Sequence, residues 1–418
     1  MPIIYSGDRQ SSSFPRIMLS NSDQHRAVQA LYNTYPFPPE PLLQEPPPGY
    51  NWRWHWAAAH SFCLGRRPFN QKIRILDAGC GTGVGTEYLV HLNPEAEVHA
   101  VDISEGALAV AQERLQKSGV GCGRVHFHHL SLENLASLPG QFDYINSVGV
   151  LHHLPDPVAG IQAVAEKLAP GGLFHIFVYA EIGRWEIQLM QQAIAILQGE
   201  KRGDYRDGVA VGREIFASLP DHNRLVKREK ERWSLENHRD ESFADMYVHP
   251  QETDYNIHTL FELTDAAGLE FLGFSNPDYW QLDRLLGKAP DLIERAKNLG
   301  ERERYRLIEL LDPEITHYEF FLAKPPITIS DWSDDKTLLN AKPNLHPCMT
   351  GWPSRSLFDY NYQPLELTEE EFKLLQAVET QTEIQANVEK ILADLGDRAI
   401  DLGLVRSLQT RQLLTLGN

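Results

Sequence analysis

Short apolar runs alternate with longer amphipathic stretches between residues 72 and 180. The runs KIRILDAG, EVHAVDIS, RVHFHHLS, FDYINSV and LFHIFVYA have the length and composition of buried strands. Between them, stretches such as GVGTEYLVHLN, EGALAVAQERLQKSG and DPVAGIQAVAEKLAPGG repeat apolar positions at helical spacing. Strands separated by helices favour right-handed crossovers, so the pattern predicts an α/β fold with a parallel, doubly wound sheet.

Further elements follow the alternating region and bring the number of predicted strands to seven. The sequence predicts helices at 184–197 and 256–268, strands at 269–274 and 317–324, and helical insertions at about 200–240 and 280–312. The first insertion is rich in both acidic and basic residues and shows little hydrophobic periodicity. We expect it to be a charged insertion outside the core.

The flanking segments divide the chain into four predicted parts. These are an N-terminal proline and aromatic arm with a helix (1–65), the core with its insertions (66–325), a loop-like connecting segment (326–363) and a small C-terminal helical module (364–418). The proline-rich stretch 35–50 cannot form a helix or a central strand. Aromatic residues among its prolines favour an arm laid over the core at a ligand mouth, and a solvated linker is the alternative.

Composition and charge exclude several classes of protein. Hydrophobic residues make up 42% of the chain and charged residues 23%, as in ordinary globular proteins. The net charge is 39 − 57 = −18, which disfavours nucleic-acid and anionic-membrane partners. The C-terminal module resembles a helix-turn-helix unit, but its 5 basic against 10 acidic residues oppose DNA binding. Neither a secretory signal nor a membrane-length apolar run is visible, so we expect a cytoplasmic protein.

The strongest motif is ILDAGCGTGVGT at residues 75–86. An apolar strand runs into Asp77, and then Gly79, Gly81 and Gly83 lead into a helix. Glycines at these positions let the backbone turn sharply and approach a ligand, and the helix presents its N-terminus to that ligand. No frame completes the G-x-G-x-x-G pattern of a dinucleotide fold, because its last position falls on Val84, Thr86 or Tyr88.

Three later motifs follow the next strands in order. Asp102 ends the second strand, where a carboxylate can accept both hydroxyls of a ribose. Ser131 and Leu132 end the third strand, where they could frame an adenine edge. Asn146 lies at the end of the fourth strand, at the predicted cleft.

Together these motifs resemble the class I S-adenosylmethionine (SAM) dependent methyltransferases, closely over 72–180 and loosely to 324. AGLEFLGF and HYEFFLAKP resemble the last two strands of that family, which run antiparallel. The wider chain is similar to a bacterial branch of the type 11 and 12 methyltransferases. The resemblance implies a Rossmann-like, doubly wound sheet of seven strands, with SAM as cofactor and S-adenosylhomocysteine as product. The cofactor-binding residues that we predict are Asp77, Gly79, Cys80, Gly81, Gly83, Asp102, Ile103, Ser131, Leu132 and Asn146.

The catalytic residues are less defined by sequence. Methyl transfer from a sulfonium needs no acid, and positioning supplies most of the rate. A base helps if the acceptor is a carbon acid, a phenol or an amide. Asn146, His152 and His153 are weak candidates, with a structural role as the alternative. An NPPY-type amino-methylation signature is absent, since the chain has Asn146-Ser147-Val148-Gly149.

No metal site is predicted. His126 and His128 share a strand face, but no carboxylate or cysteine in the sequence completes a set of ligands. The four cysteines, Cys63, Cys80, Cys122 and Cys348, are far apart and form no CxxC pair.

The acceptor remains open at the level of sequence. Tyr35 on the arm and Tyr247, His249 and Tyr255 before a predicted helix are candidate acceptor-binding residues. The large appendages favour a bulky acceptor such as a protein side chain, one case being an asparagine of a phycobiliprotein. A small molecule of the quinone or metabolite type is the alternative. A SAM-binding subunit that assembles or regulates without catalysis is a third hypothesis.

Overall fold

The computed structural model describes most of the chain. The described residues are 20–120, 123–349, 354–360, 362–381, 385–397 and 399–417. The first nineteen residues of the predicted N-terminal arm, and Cys122, therefore lie outside them.

A seven-stranded sheet forms the centre of the molecule, as the sequence predicts. Its strands are β1 Arg74–Ala78, β2 Glu97–Asp102, β3 Val125–His129, β4 Phe142–Val148, β5 Leu168–Tyr179, β6 Glu270–Phe274 and β7 His317–Ala323. The order is β3-β2-β1-β4-β5-β7-β6. β1 to β5 are parallel, and β7 runs antiparallel to both of its neighbours, β5 and β6. The mixed α/β class and the Rossmann-like sheet are thus confirmed.

Helices cover both faces of this sheet and build the appendages. They are α1 Asn21–Thr34, α2 Trp56–Leu64, α3 Val84–Leu92, α4 Glu105–Lys117, α5 Pro157–Lys167, α6 Trp185–Gln198, α7 Tyr205–Ser218, α8 Arg224–Arg228, α9 Asp240–Tyr247, α10 Ile257–Ala266, α11 Asp283–Leu286, α12 Pro290–Ala296, α13 Glu301–Leu311, α14 Asp335–Asn340, α15 Glu369–Gln381, α16 Val388–Leu395 and α17 Leu402–Thr410. In parallel sheets of this type, ligands bind outside the carboxyl ends of the strands.

The charged insertion at 200–240 is more ordered than its sequence predicts. α7 buries Tyr205 and Val209, and its Gly212 lies against Phe243 of α9 and Ile194 of α6. The helix is amphipathic, but glycines take two of its inward positions. Because glycine is not counted as an apolar residue, the periodicity of α7 is not visible in the sequence. The same glycines allow the three helices to approach closely.

The connecting segment 326–363 is not simply a loop, contrary to the sequence analysis. It contains α14 and a strand β8 (Lys342–Leu345), followed by a hairpin of β9 (Ser356–Phe358) and β10 (Pro364–Glu366). β8 pairs antiparallel with β11 (Leu414–Gly417) at the end of the chain. Trp332 and Leu338 share one apolar core with α15, α16 and α17. A four-residue strand containing proline carries no recognisable signal when its partner lies about seventy residues away.

The described part of the chain contains no helix that combines the length and the apolar character needed to cross a bilayer.

Candidate functional site

A cavity of about 280 Å³ lies outside the carboxyl ends of β1 to β5. Its lining residues are His25, Val28, Tyr32, Phe37, Pro38, Trp54, Asp77, Gly79, Cys80, Gly81, Val84, Gly85, Asp102, Ile103, Ala107, Leu130, Ser131, Leu132, Asn146, Val148, Gly149, Val150, His153, Leu154, Phe177, Tyr179 and Asp245. Nine of the ten predicted cofactor-binding residues are among them. Gly83 is the exception: it precedes α3 and lies against Ala111.

The loop after β1 can take only glycine at its turning points. Gly79 has φ +89° and Gly81 has φ +51°, in the left-handed region that other residues rarely adopt. A Cβ atom on Gly79 would lie 2.3 Å from the side chain of Val150, and one on Gly81 would lie 2.5 Å from the carbonyl oxygen of Phe37. The loop is therefore closely packed on its protein side while it borders the cavity.

Asp77 ends β1 as a buried carboxylate on the cavity wall. Its two oxygens accept hydrogen bonds from the Thr86 hydroxyl, at 2.6 Å, and from the Asn146 side-chain amide, at 2.8 Å. Burial raises the pKa of Asp77 to about 6, and those two hydrogen bonds oppose the rise. A cationic ligand group beside this carboxylate would replace the lost solvation.

Asn146 is fixed by protein groups at both ends of its amide. Its oxygen accepts from the indole N–H of Trp54 at 3.0 Å, and Nδ1 of His175 lies 2.8 Å from the same oxygen. His175 in turn faces Glu319 on β7. Asn146 therefore lines the cavity as a positioning residue for Asp77, with its oxygen fully used and one N–H of its amide committed to that carboxylate.

Asp102 ends β2 at the other side of the glycine loop. Its Oδ2 accepts from the backbone N–H of Gly81 and its Oδ1 from that of Ser104, both at 2.8 Å. Burial raises the pKa of Asp102 above its ordinary value, and these backbone hydrogen bonds oppose the rise. A carboxylate offers about four lone-pair positions, so Asp102 keeps capacity for a further donor.

The N-terminal segment closes the cavity from outside. On α1, the Gln29 side chain donates to the carbonyl of Ile103 at 2.9 Å, and the Tyr32 hydroxyl donates to Asp245 at 2.8 Å. The proline arm follows across the glycine loop, where the carbonyl of Pro38 accepts from the Thr82 hydroxyl at 2.6 Å. Arg114 on α4 holds that arm through the carbonyls of Glu40 and Pro41. The arm thus lies at the mouth of the cavity, as the sequence predicts.

A second polar group occupies the β4 and β5 end of the cavity. His153, Tyr179 and Asp245 line this end, and a nitrogen of His153, a carboxylate oxygen of Asp245 and a nitrogen of His249 all lie within 4.8 Å of one another. His153 stacks on His249 with ring centroids 3.7 Å apart. Tyr32 and Asp245 were not among the predicted site residues, since they come from helices outside the sheet.

The other candidates for catalysis and acceptor binding lie behind the cavity. His152 is fully buried against Tyr179, with centroids 4.0 Å apart, and neither ring nitrogen has a partner among the described residues. Tyr247 donates its hydroxyl to Glu229, and Tyr255 packs in the core beside β5. Tyr35 packs with the cluster of α6, α7 and α9. None of these four residues lines the cavity.

Two groups of residues have spacings that would suit a metal ion. Glu97 lies 3.5 Å from His126 and 2.8 Å from His99, so a carboxylate does adjoin His126, contrary to the sequence analysis. Arg74 lies 3.1 Å from the same nitrogen of His99 and opposes a cation there. In the second group, Nδ1 of His249 accepts from the Gln251 backbone N–H. The lone pair of that neutral ring is then already in use, so neither set of donors fits a metal ion.

Comparisons with known proteins agree with this geometry. A family model described as a methyltransferase domain matches residues 75–172. A ubiquinone biosynthesis O-methyltransferase of Aromatoleum aromaticum is 39% identical over 100 residues, 24% of this chain and 41% of that protein. An uncharacterized protein of Synechococcus sp. is 59% identical over 391 residues, 94% of this chain and 93% of that protein.

The chain belongs to the class I SAM-dependent methyltransferases.

One further sequence match and one solved structure also resemble this methyltransferase. An uncharacterized phycocyanin operon protein W of Pseudanabaena tenuis is 68% identical over 100 residues, 24% of this chain and 94% of that protein. The solved structure of PKMT2 from Rickettsia typhi superimposes with a TM-score of 0.60, over 89% of this chain and 77% of that chain, at 16% identity. This second likeness concerns the fold alone.

The cofactor of the methyltransferase is SAM, and the cavity fits it. SAM carries a ribose, an adenine, an amino group and a cationic sulfonium. The cavity offers buried carboxylates at Asp77 and Asp102, and a glycine loop without side chains between them. When bound, SAM supplies an electrophilic methyl group.

Proposed function

We propose that this methyltransferase methylates the side-chain amide of an asparagine in a phycobiliprotein. The observation that carries the proposal is the 68% identity to the phycocyanin operon protein of Pseudanabaena tenuis, which covers 94% of that protein. The name of that relative links it to phycocyanin genes. Because enzymes encoded beside their substrates often act on them, a phycobiliprotein is the acceptor that we test first.

We assign the parts of SAM along the sheet as follows. Asp102 accepts the ribose hydroxyls, Ser131 and Leu132 adjoin the adenine, and Asp77 with the loop Gly79–Gly81 holds the methionine end. β2 and β3 stand on one side of β1 in the sheet, and β4 and β5 stand on the other. With SAM held in this way, the acceptor would approach from the side of β4 and β5, where Tyr32, His153 and Asp245 line the cavity.

A protein acceptor also agrees with the size of the appendages. The arm before α2 and the described residues after β7 lie outside the sheet and its covering helices. Phe358 and Tyr362 of the β9–β10 hairpin are exposed. A small molecule in the cavity would contact the arm but would need no contact with the residues after β7, whereas a folded protein has the reach to contact both.

A small-molecule acceptor is the second candidate. It is favoured by the similarity to ubiquinone biosynthesis O-methyltransferases. Those matches cover about a quarter of this chain. They leave most of the appendages without a counterpart.

The test is a transfer assay with SAM labelled in its methyl group. Purified enzyme is added to phycobiliproteins isolated from cells that lack this enzyme, and in parallel to the protein, nucleic-acid and small-molecule fractions of those cells. We expect label in a phycobiliprotein subunit, located by peptide mass spectrometry on one asparagine. An Asp102→Ala variant should leave that subunit unlabelled.

Other outcomes would replace the proposal. Label in the small-molecule fraction alone would make the quinone-type acceptor the leading candidate. Label in a different protein would show that the enzyme is a protein methyltransferase with another substrate. SAM binding without label in any fraction would favour a regulatory or assembly subunit.

A further inference from the structure

The backbone of one residue, Gln251, fixes the protonation pattern of two stacked histidines at the acceptor end of the cavity. Nδ1 of His153 lies 3.0 Å from the carbonyl oxygen of Gln251. The N–H of the same residue, Gln251, donates to Nδ1 of His249 at 3.1 Å. A carbonyl only accepts and a backbone N–H only donates, so the two rings must present opposite atoms at Nδ1.

Both rings are neutral, because burial lowers the pKa of His153 to about 4 and that of His249 well below the usual range. A neutral imidazole carries one proton. His153 holds its proton at Nδ1, toward Gln251, so its Nε2 presents a free lone pair. His249 uses its Nδ1 lone pair on Gln251, so its proton is at Nε2.

Asp245 supplies a second acceptor beside His153. Its Oδ1 accepts the Tyr32 hydroxyl at 2.8 Å, and the described residues place no donor on Oδ2. His153 and Asp245 both line the cavity. The acceptor end of the cavity therefore presents two hydrogen-bond acceptors that are close together and not yet used by protein donors.

We propose that His153 and Asp245 bind the NH2 group of the methyl acceptor, with Nε2 of His153 as the base. This inference rests on the proposed function and deepens it. A primary carboxamide has two N–H donors, one for each acceptor. A phenol or quinol hydroxyl has one, and would leave either Nε2 of His153 or Oδ2 of Asp245 without a donor. The pair thus selects an amide over a hydroxyl acceptor.

The transfer balances in atoms and charge. The amide nitrogen forms a bond to the methyl carbon as the bond from that carbon to the sulfonium breaks, and the sulfur leaves as a neutral thioether. The nitrogen then loses one N–H proton to Nε2 of His153. The resulting imidazolium lies beside Asp245 and returns its proton to water after the products leave.

His249 acts through Gln251 as a positioning residue. Its Nδ1 anchors the N–H of the residue whose carbonyl holds the proton of His153, and its ring packs against that of His153. Phenylalanine at position 249 would retain the stacking and remove the anchor. The tautomer of His153 should then become mixed, which a loss of packing alone would not produce.

The first test is nitrogen NMR of the histidine rings in the full chain bound to S-adenosylhomocysteine. Ring signals are assigned by their loss in His153→Gln and His249→Phe. We expect His153 with its proton at Nδ1 and His249 with its proton at Nε2, and a second tautomer of His153 in His249→Phe. The same tautomer for both histidines in the parent protein would overturn the proposal.

The second test uses propionamide as a probe of the acceptor site, with 1-propanol as the hydroxyl control. Propionamide should bind the complex with S-adenosylhomocysteine and lose about tenfold in affinity in His153→Gln and in Asp245→Ala. The matched control is His152→Gln, in the neighbouring buried histidine that does not line the cavity, and it should retain the affinity. Equal binding of the two probes, or equal affinity in all variants, would overturn the inference.

The two proposals fail separately. If propionamide binds through His153 and Asp245 but no phycobiliprotein is methylated, the phycobiliprotein is excluded as the substrate and the amide site is retained. If a phycobiliprotein is methylated and turnover is unchanged in His153→Gln, the substrate is confirmed and His153 is excluded as the base. We expect His153→Gln to lower turnover on the order of 100-fold or more and to leave SAM affinity within about threefold.

Discussion

The side-chain amide of Asn146 donates a 2.8 Å hydrogen bond to Oδ1 of Asp77 and so joins the carboxyl ends of β4 and β1. The bond belongs to a buried chain. Asn146 Oδ1 is 2.8 Å from His175, which is 3.1 Å from Glu319, and Glu319 pairs with Arg53 at 2.6 Å. The orientation of the cofactor-facing carboxylate is thus set from β7, three strands away.

The raised pKa of Asp77 predicts opposite pH dependences for stability and for cofactor affinity. Without ligand, burial favours the protonated form, with a pKa of about 6 against an ordinary value of 3.8. The stability that this group contributes is full below about pH 4 and is lost as the pH rises through about 6, in total about 3 kcal/mol. SAM brings positive charge and favours the carboxylate, so its affinity should increase over the same range.

Denaturant unfolding of the ligand-free protein and calorimetric SAM titrations, both between about pH 4 and pH 8, measure these effects. Asp77→Asn is the matched control, because it removes the titrating proton and keeps the shape of the side chain. Its unfolding free energy should lack this component and its weak SAM binding should be nearly independent of pH. The same pH dependence in parent and variant would assign the effect to other groups.

Removal of the Asp102 carboxylate should weaken cofactor binding, and it also leaves the backbone N–H groups of Gly81 and Ser104 without their acceptor. We expect Asp102→Ala to lose about 1–3 kcal/mol of SAM affinity, from two charge-assisted hydrogen bonds to the ribose. Asp143→Ala is the control, since Asp143 accepts the backbone N–H of Arg74 at the opposite end of β4 and does not line the cavity. Equal SAM affinity in parent and Asp102→Ala would show that the ribose lies elsewhere.

The sheet and the cofactor end of the site follow from sequence because their signals are local. The strands are short segments rich in apolar residues, and the polar residues that matter, such as Asp77 and Asp102, lie at their carboxyl ends. The order of motifs along the chain then gives their order at one edge of the sheet. Nine predicted cofactor-binding residues share one cavity for this reason.

The acceptor end does not follow from sequence because its contacts are distant. Tyr32 and Asp245 are 213 residues apart and lie on helices whose docking no local pattern records. Helix α1 is not predicted from the sequence either, although Ser20 caps that helix by accepting from the N–H of Asp23. His249 was predicted to contact the acceptor, whereas the structure places it behind His153.

Arg114 should control how fast the cofactor leaves. Its guanidinium donates to the carbonyls of Thr82, Glu40 and Pro41, and so ties the proline arm to the glycine loop. Arg114→Lys keeps the charge and loses most of these bonds, so we expect SAM to dissociate about tenfold faster. Stopped-flow displacement measures this rate. Lys117→Ala, a partly exposed change on the same helix, should have no effect, and equal rates in both variants would show that the arm does not retain SAM.

The last strand should be essential for the stability of the C-terminal module. Leu416 is fully buried between β8 and the module core, and its carbonyl accepts the backbone N–H of Arg67 at 2.7 Å. Leu416→Ala should lower the free energy of unfolding by about 2–5 kcal/mol. Leu310→Ala, the same change at a side chain that is 56% exposed, should cost less than about 0.5 kcal/mol. Denaturant unfolding compares the two variants, and similar losses would mean that β11 does not complete the core.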